Sequence, residues 1–225
     1  MKYKYKIPHN FLKKRLEKIG KYNTAAEKQI LLEEDLSHKE IFKILFPDSE
    51  LQPVSEIEAA CFVLKGIENS LNDVIEGYQE CSCGTINDFM YEIEELINTD
   101  IETDIPIGLF DSLDEIIDSD NIVLKTCNDL QNEIIENNKK ILQLNKTITC
   151  RNPACKKTIP FVIDPKVFVS KTSVSNIFDQ YFNLMFHLHI TKKDIDELPP
   201  FEREIYLGLL KKKLESNPLP NLPFG

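Results

Sequence analysis

Two short stretches, Glu80-Cys81-Ser82-Cys83-Gly84-Thr85-Ile86-Asn87-Asp88-Phe89-Met90-Tyr91 and Thr149-Cys150-Arg151-Asn152-Pro153-Ala154-Cys155-Lys156-Lys157-Thr158-Ile159-Pro160-Phe161-Val162-Ile163, decide how the rest of the chain is read. In each, two cysteines close a tight turn, a Phe follows six residues after the second cysteine, and a large apolar residue stands two further on (Phe89 and Tyr91; Phe161 and Ile163). That period of two is the signature of a half-buried strand, so each stretch is a knuckle feeding a strand. Neither thiol pair alone completes a tetrahedral site, whereas Cys81, Cys83, Cys150 and Cys155 together supply the four sulfur ligands of a structural zinc. The chain between the knuckles is then an insertion tied at both ends.

The thiol spacing is one residue in the first pair and four in the second. Knuckle thiols usually stand two to four residues apart, so the second pair has the ordinary form and the first is tight. Gly84 relieves it, because the turn behind the second thiol favours positive φ. The competing reading makes the four cysteines small buried hydrophobes, a role free cysteine often takes. A disulfide framework is the weaker alternative, since no signal peptide points to an oxidising compartment. Cys61 and Cys127 are isolated and have no place in the metal set.

The 225 residues, 42% hydrophobic, can bury the core of one large or two small domains, and no stretch reads as membrane-spanning. The expectation is a soluble intracellular protein. Its net charge of −10 is split: residues 1–20 hold seven Lys/Arg against one Glu, and residues 91–120 hold eleven Asp/Glu with no base. Phosphate binding needs clustered cations, so this polarity disfavours nucleic acid over most of the surface and suits protein partners. The acidic run from Glu92 to Asp120 is read as solvent-facing, either as plain solvated surface or as part of a partner surface.

Along the chain, Met1 to Pro8 alternates Lys with Tyr and Ile, like an edge strand or a basic arm. Phe11 to Ile19 is a short basic helix with Phe11, Leu12, Leu16 and Ile19 on one side, Ala25 to Leu32 a second, and Ser37-x-x-Glu40 a capping box opening a third before Pro47. The strongest helix starts at the Ser55-x-x-Glu58 box and is predicted to reach Ile75, with Ile57, Ala60, Leu64, Ile67, Leu71 and Val74 forming an apolar seam. That seam is core; a coiled-coil or partner groove is the alternative. In the insertion, a short helix around Leu113 to Ile117, a strand from Asn121 to Lys125 and a polar helix from Asp129 to Leu142 are expected. Beyond the second knuckle, Ser175 is expected to cap a helix so apolar (Phe178, Tyr181, Phe182, Met185, Leu188) that it should be buried. His187 and His189 fall too close in sequence to share a helix face and make a poor metal pair. Pro199 and Pro200 open a last helix that ends in Lys211-Lys212-Lys213.

The fold class expected is therefore mainly α with a small β zinc-ribbon-like element, an α+β chain with two knuckles separated by a long insertion. Its regions are residues 1–78 (helical), 79–170 (ribbon-like, with the insertion at 97–148), 171–216 (a helical pair) and 217–225 (a Pro-rich tail). In the tail, polyproline II geometry places Leu219 and Leu222 on one side, and these with Phe224 form a candidate partner-docking peptide; the alternative is a tail that frays or folds back on its own core.

Four stretches in order, Lys28-Gln29-Ile30-Leu31-Leu32-Glu33-Glu34, Ala59-Ala60-Cys61-Phe62-Val63-Leu64-Lys65-Gly66-Ile67, Tyr78 to Phe89, and Leu198-Pro199-Pro200-Phe201-Glu202-Arg203-Glu204-Ile205-Tyr206, resemble the baseplate hub assembly proteins of T-even-like contractile-tailed bacteriophages. The resemblance spans most of residues 25–215. It implies a non-enzymatic late protein, an assembly chaperone or hub component, that acts in the host cytoplasm during infection and touches other hub or tail proteins. A place in the virion baseplate is open on this reading. The residues agree in a negative way: there is no G-x-x-x-x-G-K-[ST], G-x-S-x-G or H-E-x-x-H, and seven glycines in all leave little for a phosphate-cradling loop. A zinc-stabilised module binding nucleic acid through Lys2 to Lys18 is the alternative function.

Overall fold

A computed structural model describes residues 11–53, 55–71, 74–98 and 141–216. The expectations placed on residues 1–10, on the body of the insertion and on Leu219, Leu222 and Phe224 lie outside them. The described chain is a mixed α+β structure with two small antiparallel sheets.

Four helices come first: α1 (Phe11–Leu16), α2 (Thr24–Leu32), α3 (His38–Leu45) and α4 (Glu56–Ser70). Their starts are chemical. Asn23 accepts the Ala26 N–H, Ser37 and Glu40 form the reciprocal capping box, and Ser55 accepts the Glu58 N–H, each satisfying a backbone donor that a helix leaves orphaned. Helix α4 is the centre of the core: Ala59, Ala60, Cys61, Phe62, Val63 and Leu64 are all buried, so the apolar surface extends well beyond the expected seam. Phe42 of α3 packs on Phe62 with ring centroids 5.3 Å apart, and Arg15 of α1 donates to the Glu58 carboxylate and to the Gln52 carbonyl.

Helix α4 stops at Ser70, five residues short of the predicted end, because Val74 and Ile75 continue the helical spacing in sequence but lie in a strand. This strand, β1 (Val74–Glu80), pairs antiparallel with β2 (Ile86–Glu92), in register from Val74 opposite Glu92 to Glu80 opposite Ile86. The second sheet pairs β3 (Asn145–Thr149) with β4 (Thr158–Val162), and Thr149 faces Thr158. Both knuckles are thus the turns of β-hairpins, and the strand entering each knuckle is as much part of the unit as the expected strand leaving it.

An isolated two-stranded hairpin is marginal in water, so each leans on the helices. Ile75, Ile93, Leu96 and Ile163 enter the same buried cluster as α4. The hairpins also lean on one another, Phe89 of β2 lying 4.7 Å from Phe161 of β4 between centroids. Gly77, opposite Phe89 in the ladder, makes room for that ring: a Cβ there would stand 2.6 Å from it. Asn98 donates to Ile141 O and Gln143 to Leu96 O, so the chain leaves and re-enters the hairpin unit side by side.

A 3₁₀ turn (Pro165–Phe168) leads to α5 (Val174–Leu188), α6 (Lys192–Glu197) and α7 (Pro200–Ser216). The cap of α5 is Ser173, not Ser175: its hydroxyl accepts the Asn176 N–H. Nor is α5 buried all round. Ile177, Tyr181 and Leu184 are buried in a small second core with Ile195, against which Leu188 also packs, while Phe178, Phe182 and Phe186 face outward. The two cores are stitched by a buried ion pair between Glu27 of α2 and Arg203 of α7, to which the Ser170 hydroxyl adds a hydrogen bond.

Candidate metal centre

The four predicted cysteines come together. Cys81 directly follows β1 and Cys83 lies in the turn before β2; Cys150 directly follows β3 and Cys155 lies in the turn before β4. All four Sγ atoms lie within 4.8 Å of one another. The close pairs cross between hairpins, with Cys81 Sγ 3.7 Å from Cys155 Sγ and Cys83 Sγ 3.6 Å from Cys150 Sγ. Ligands at about 2.3 Å from a tetrahedral zinc are about 3.8 Å from each other, so these separations fit one central ion. They are well beyond the roughly 2.05 Å of a disulfide, and the thiols are free. Four soft sulfur donors in this arrangement can hold a metal ion.

The knuckle backbones set the geometry. In the first, the Gly84 N–H donates to Cys81 O and the Cys81 N–H to Thr85 O, and Gly84 takes φ +79°, as the tight spacing requires. In the second, the Cys150 N–H donates to Lys157 O, and the Cys155 and Lys156 N–H groups both donate to Asn152 O. Asn152 also accepts the Ala154 N–H through its side chain. The larger loop closes by turning Lys156 to φ +50°.

Cys81 and Cys150 are buried, Cys155 is partly so, and Cys83 is at the surface. Hydrogen bonds from the Thr85 side chain and backbone draw the Cys83 thiol down to about 6. Cys155 is pushed up to about 11: the Lys157 backbone N–H pulls the other way, but burial and the three neighbouring thiols outweigh it. Thiols this close cannot all ionise without a cation among them, and a bound cation would favour the thiolate forms. Arg151 and Lys157 stand nearby, reaching Asp88 and Ser82.

One residue that links the two hairpins is not among those the sequence singles out. Asn87, 3% exposed, donates through Nδ2 to Thr85 O and Gln79 O within its own hairpin, and its Oδ1 accepts the Arg151 N–H of the other at 2.7 Å. The signal was present: Asn87 shares the inward phase of Phe89 and Tyr91, and a polar residue at an apolar position of a strand asks for buried partners. Cys61 lies elsewhere, in α4, where burial and then the Glu58 charge push its thiol far up. His187 and His189 join no cluster: among the described residues the four cysteines form the one group of three or more His, Cys, Asp or Glu suited to an ion.

Of the acidic run, Glu92, Glu94 and Glu95 are described and exposed. No helix among the described residues is long and apolar enough to cross a membrane. In comparisons with protein-family models, curated proteins and solved structures, no family model, no curated relative and no solved structure matches the chain.

Proposed function

We propose that Cys81, Cys83, Cys150 and Cys155 hold one structural zinc in a zinc-ribbon-like unit, and that the chain is a non-enzymatic assembly protein of the phage baseplate hub, working by protein–protein contact as a chaperone or hub component. The observation that carries the zinc reading is the convergence of four Sγ atoms within 4.8 Å, with the pairs that cross between hairpins at 3.7 and 3.6 Å. Four thiolates fill a tetrahedral zinc and leave no position for substrate or water, which favours a scaffold role over a catalytic one. Bound there, zinc supplies folding free energy by closing two hairpins that would be weak alone.

The hub reading rests on the four resembling stretches alone, which fall in α2, α4, the first hairpin and the entry to α7.

The test is a pull-down of the tagged protein from phage-infected cells, with mass spectrometry of the co-purifying chains. Hub or tail proteins without retained DNA support the proposal. A DNA shift that weakens steeply with salt would overturn it in favour of a nucleic-acid module acting through the basic segment Lys2 to Lys18, and metal-dependent turnover would overturn its non-enzymatic part.

A further inference from the structure

Helix α5 carries two apolar faces, and the core uses only one. Ile177, Tyr181 and Leu184 point inward, while Phe178, Phe182 and Phe186, one turn apart at i, i+4 and i+8, remain 54%, 59% and 63% exposed, with Met185 beside them at 38%. The Phe182 and Phe186 rings stack with centroids 5.5 Å apart and planes within 9°. We propose that this stripe is the interface of a two-fold dimer, in which α5 lies antiparallel against α5 of a second copy with Phe182 at the axis.

Three features select a second copy of this chain as the occupant. The equal spacing makes the stripe its own complement: rotation about Phe182 brings Phe178 of one copy against Phe186 of the other, and Phe182 against Phe182, as an isologous contact requires. The charge pattern agrees. Asp179 is the one formally charged side chain on α5 with His neutral, so a strongly charged partner would find little to pair with. Antiparallel pairing opposes the two helix dipoles and separates the two Asp179 carboxylates by about six residues, roughly 9 Å along the axis, where parallel pairing would bring them side by side.

The area is also sufficient. With a large side chain offering about 200 Å², the exposed parts of the three Phe and Met185 come to about 400 Å² per copy, within the range of patches that mark binding sites. Interfaces are about 60% apolar, so such a core implies a total near 1,300 Å² over both copies, inside the class of stable specific contacts.

Sedimentation of the full zinc-loaded chain under reducing conditions should give a mass near twice 26.0 kDa at high concentration, with a thermal midpoint that rises with concentration. Phe182→Asp should sediment as a monomer with unchanged circular dichroism. Independently of that variant's folding, Phe182→Cys should cross-link to itself under mild oxidation, with position 182 joined to position 182 in the peptide map. A wild type that stays monomeric at all concentrations, a dimer that survives Phe182→Asp, or cross-links joining position 182 elsewhere would each overturn the proposal.

Discussion

Asn87 Oδ1 accepts the backbone N–H of Arg151 at 2.7 Å, and this bond ties the first hairpin to the second beside the cysteine cluster. With Asn87 Nδ2 donating to Thr85 O and Gln79 O, one buried amide satisfies three backbone groups. Asn87→Ala should therefore strip the Arg151 N–H of its acceptor, while Thr85 O keeps the Cys81 N–H, and cost about 1–3 kcal/mol. Because the amide sets the spacing of the two knuckles, metal affinity should also fall by roughly 10–100-fold while stoichiometry is kept. Urea denaturation and competition with a chromogenic chelator measure the two effects separately; an unchanged affinity would show that the thiols position themselves.

The metal assignment makes a sharper expectation. Elemental analysis of protein kept reduced and free of chelator should give about one zinc per chain, since four thiolates close one tetrahedral site. Cys155→Ser should lose the metal and loosen the hairpins. Cys61→Ser should keep it, since Cys61 is buried in α4 away from the cluster. Full occupancy in the Cys155 variant would mean the ligand set is wrong.

What was legible in the sequence follows the range of the forces involved. The knuckles could be read because thiol spacing and the Phe89/Tyr91 and Phe161/Ile163 alternation are local. The strands that enter them could not: Tyr78-Gln79-Glu80 and Asn145-Lys146-Thr147 bury little and lack a clear apolar phase. The sequence pattern overextends helix α4 because Val74 and Ile75 keep the helical rhythm, and only pairing with β2 makes them strand. Outward-facing Phe178 and Phe182 were expected inside because an apolar residue does not state which neighbour it packs against; tertiary contacts decide that. The cysteine cluster was expected from residues alone, but the Asn87 clip depends on a register set by both hairpins.

The Glu27–Arg203 pair gives a third prediction. The two side chains are 0% and 1% exposed, and Arg203 Nε is buried with no hydrogen-bond partner, so part of the pair's attraction is offset by an unsatisfied donor. Arg203→Met alone should cost about 3–5 kcal/mol, because it leaves a buried carboxylate with only the Ser170 hydroxyl. Adding Glu27→Leu should recover most of the loss, since two apolar residues of similar volume replace a costly desolvation. Urea midpoints of the two single variants and the double decide it; strictly additive losses would show that the pair has no such internal compensation.

The last prediction concerns pH and the joint that Asp196 makes between helices. Its Oδ1 accepts the Tyr181 hydroxyl of α5 at 2.5 Å and the Lys28 ammonium of α2 at 3.1 Å, while Lys192 of α6 approaches Oδ2. Burial by itself would raise this carboxyl, but the Tyr181 and Lys28 hydrogen bonds and the nearby lysine charges outweigh it and hold it below the usual value. A carboxylate depressed in the folded state contributes its full stability above the unfolded value of about 3.9, and loses it as pH falls through the lower folded value. Tyr181 behaves in the opposite sense: burial and then the Asp196 carboxylate push its phenol up, so its contribution is full below the unfolded value of about 10 and fades as pH climbs above it. The joint should be at full strength between roughly pH 5 and 9. Denaturation free energies of wild type and Asp196→Asn across pH should differ by a constant amount in that window. The difference should shrink below about pH 4, where the wild-type carboxyl takes up its proton and the asparagine has none to gain. Two curves that stay parallel through the acid limb would show that Asp196 carries no linked charge and that Tyr181 holds α6 through its ring alone.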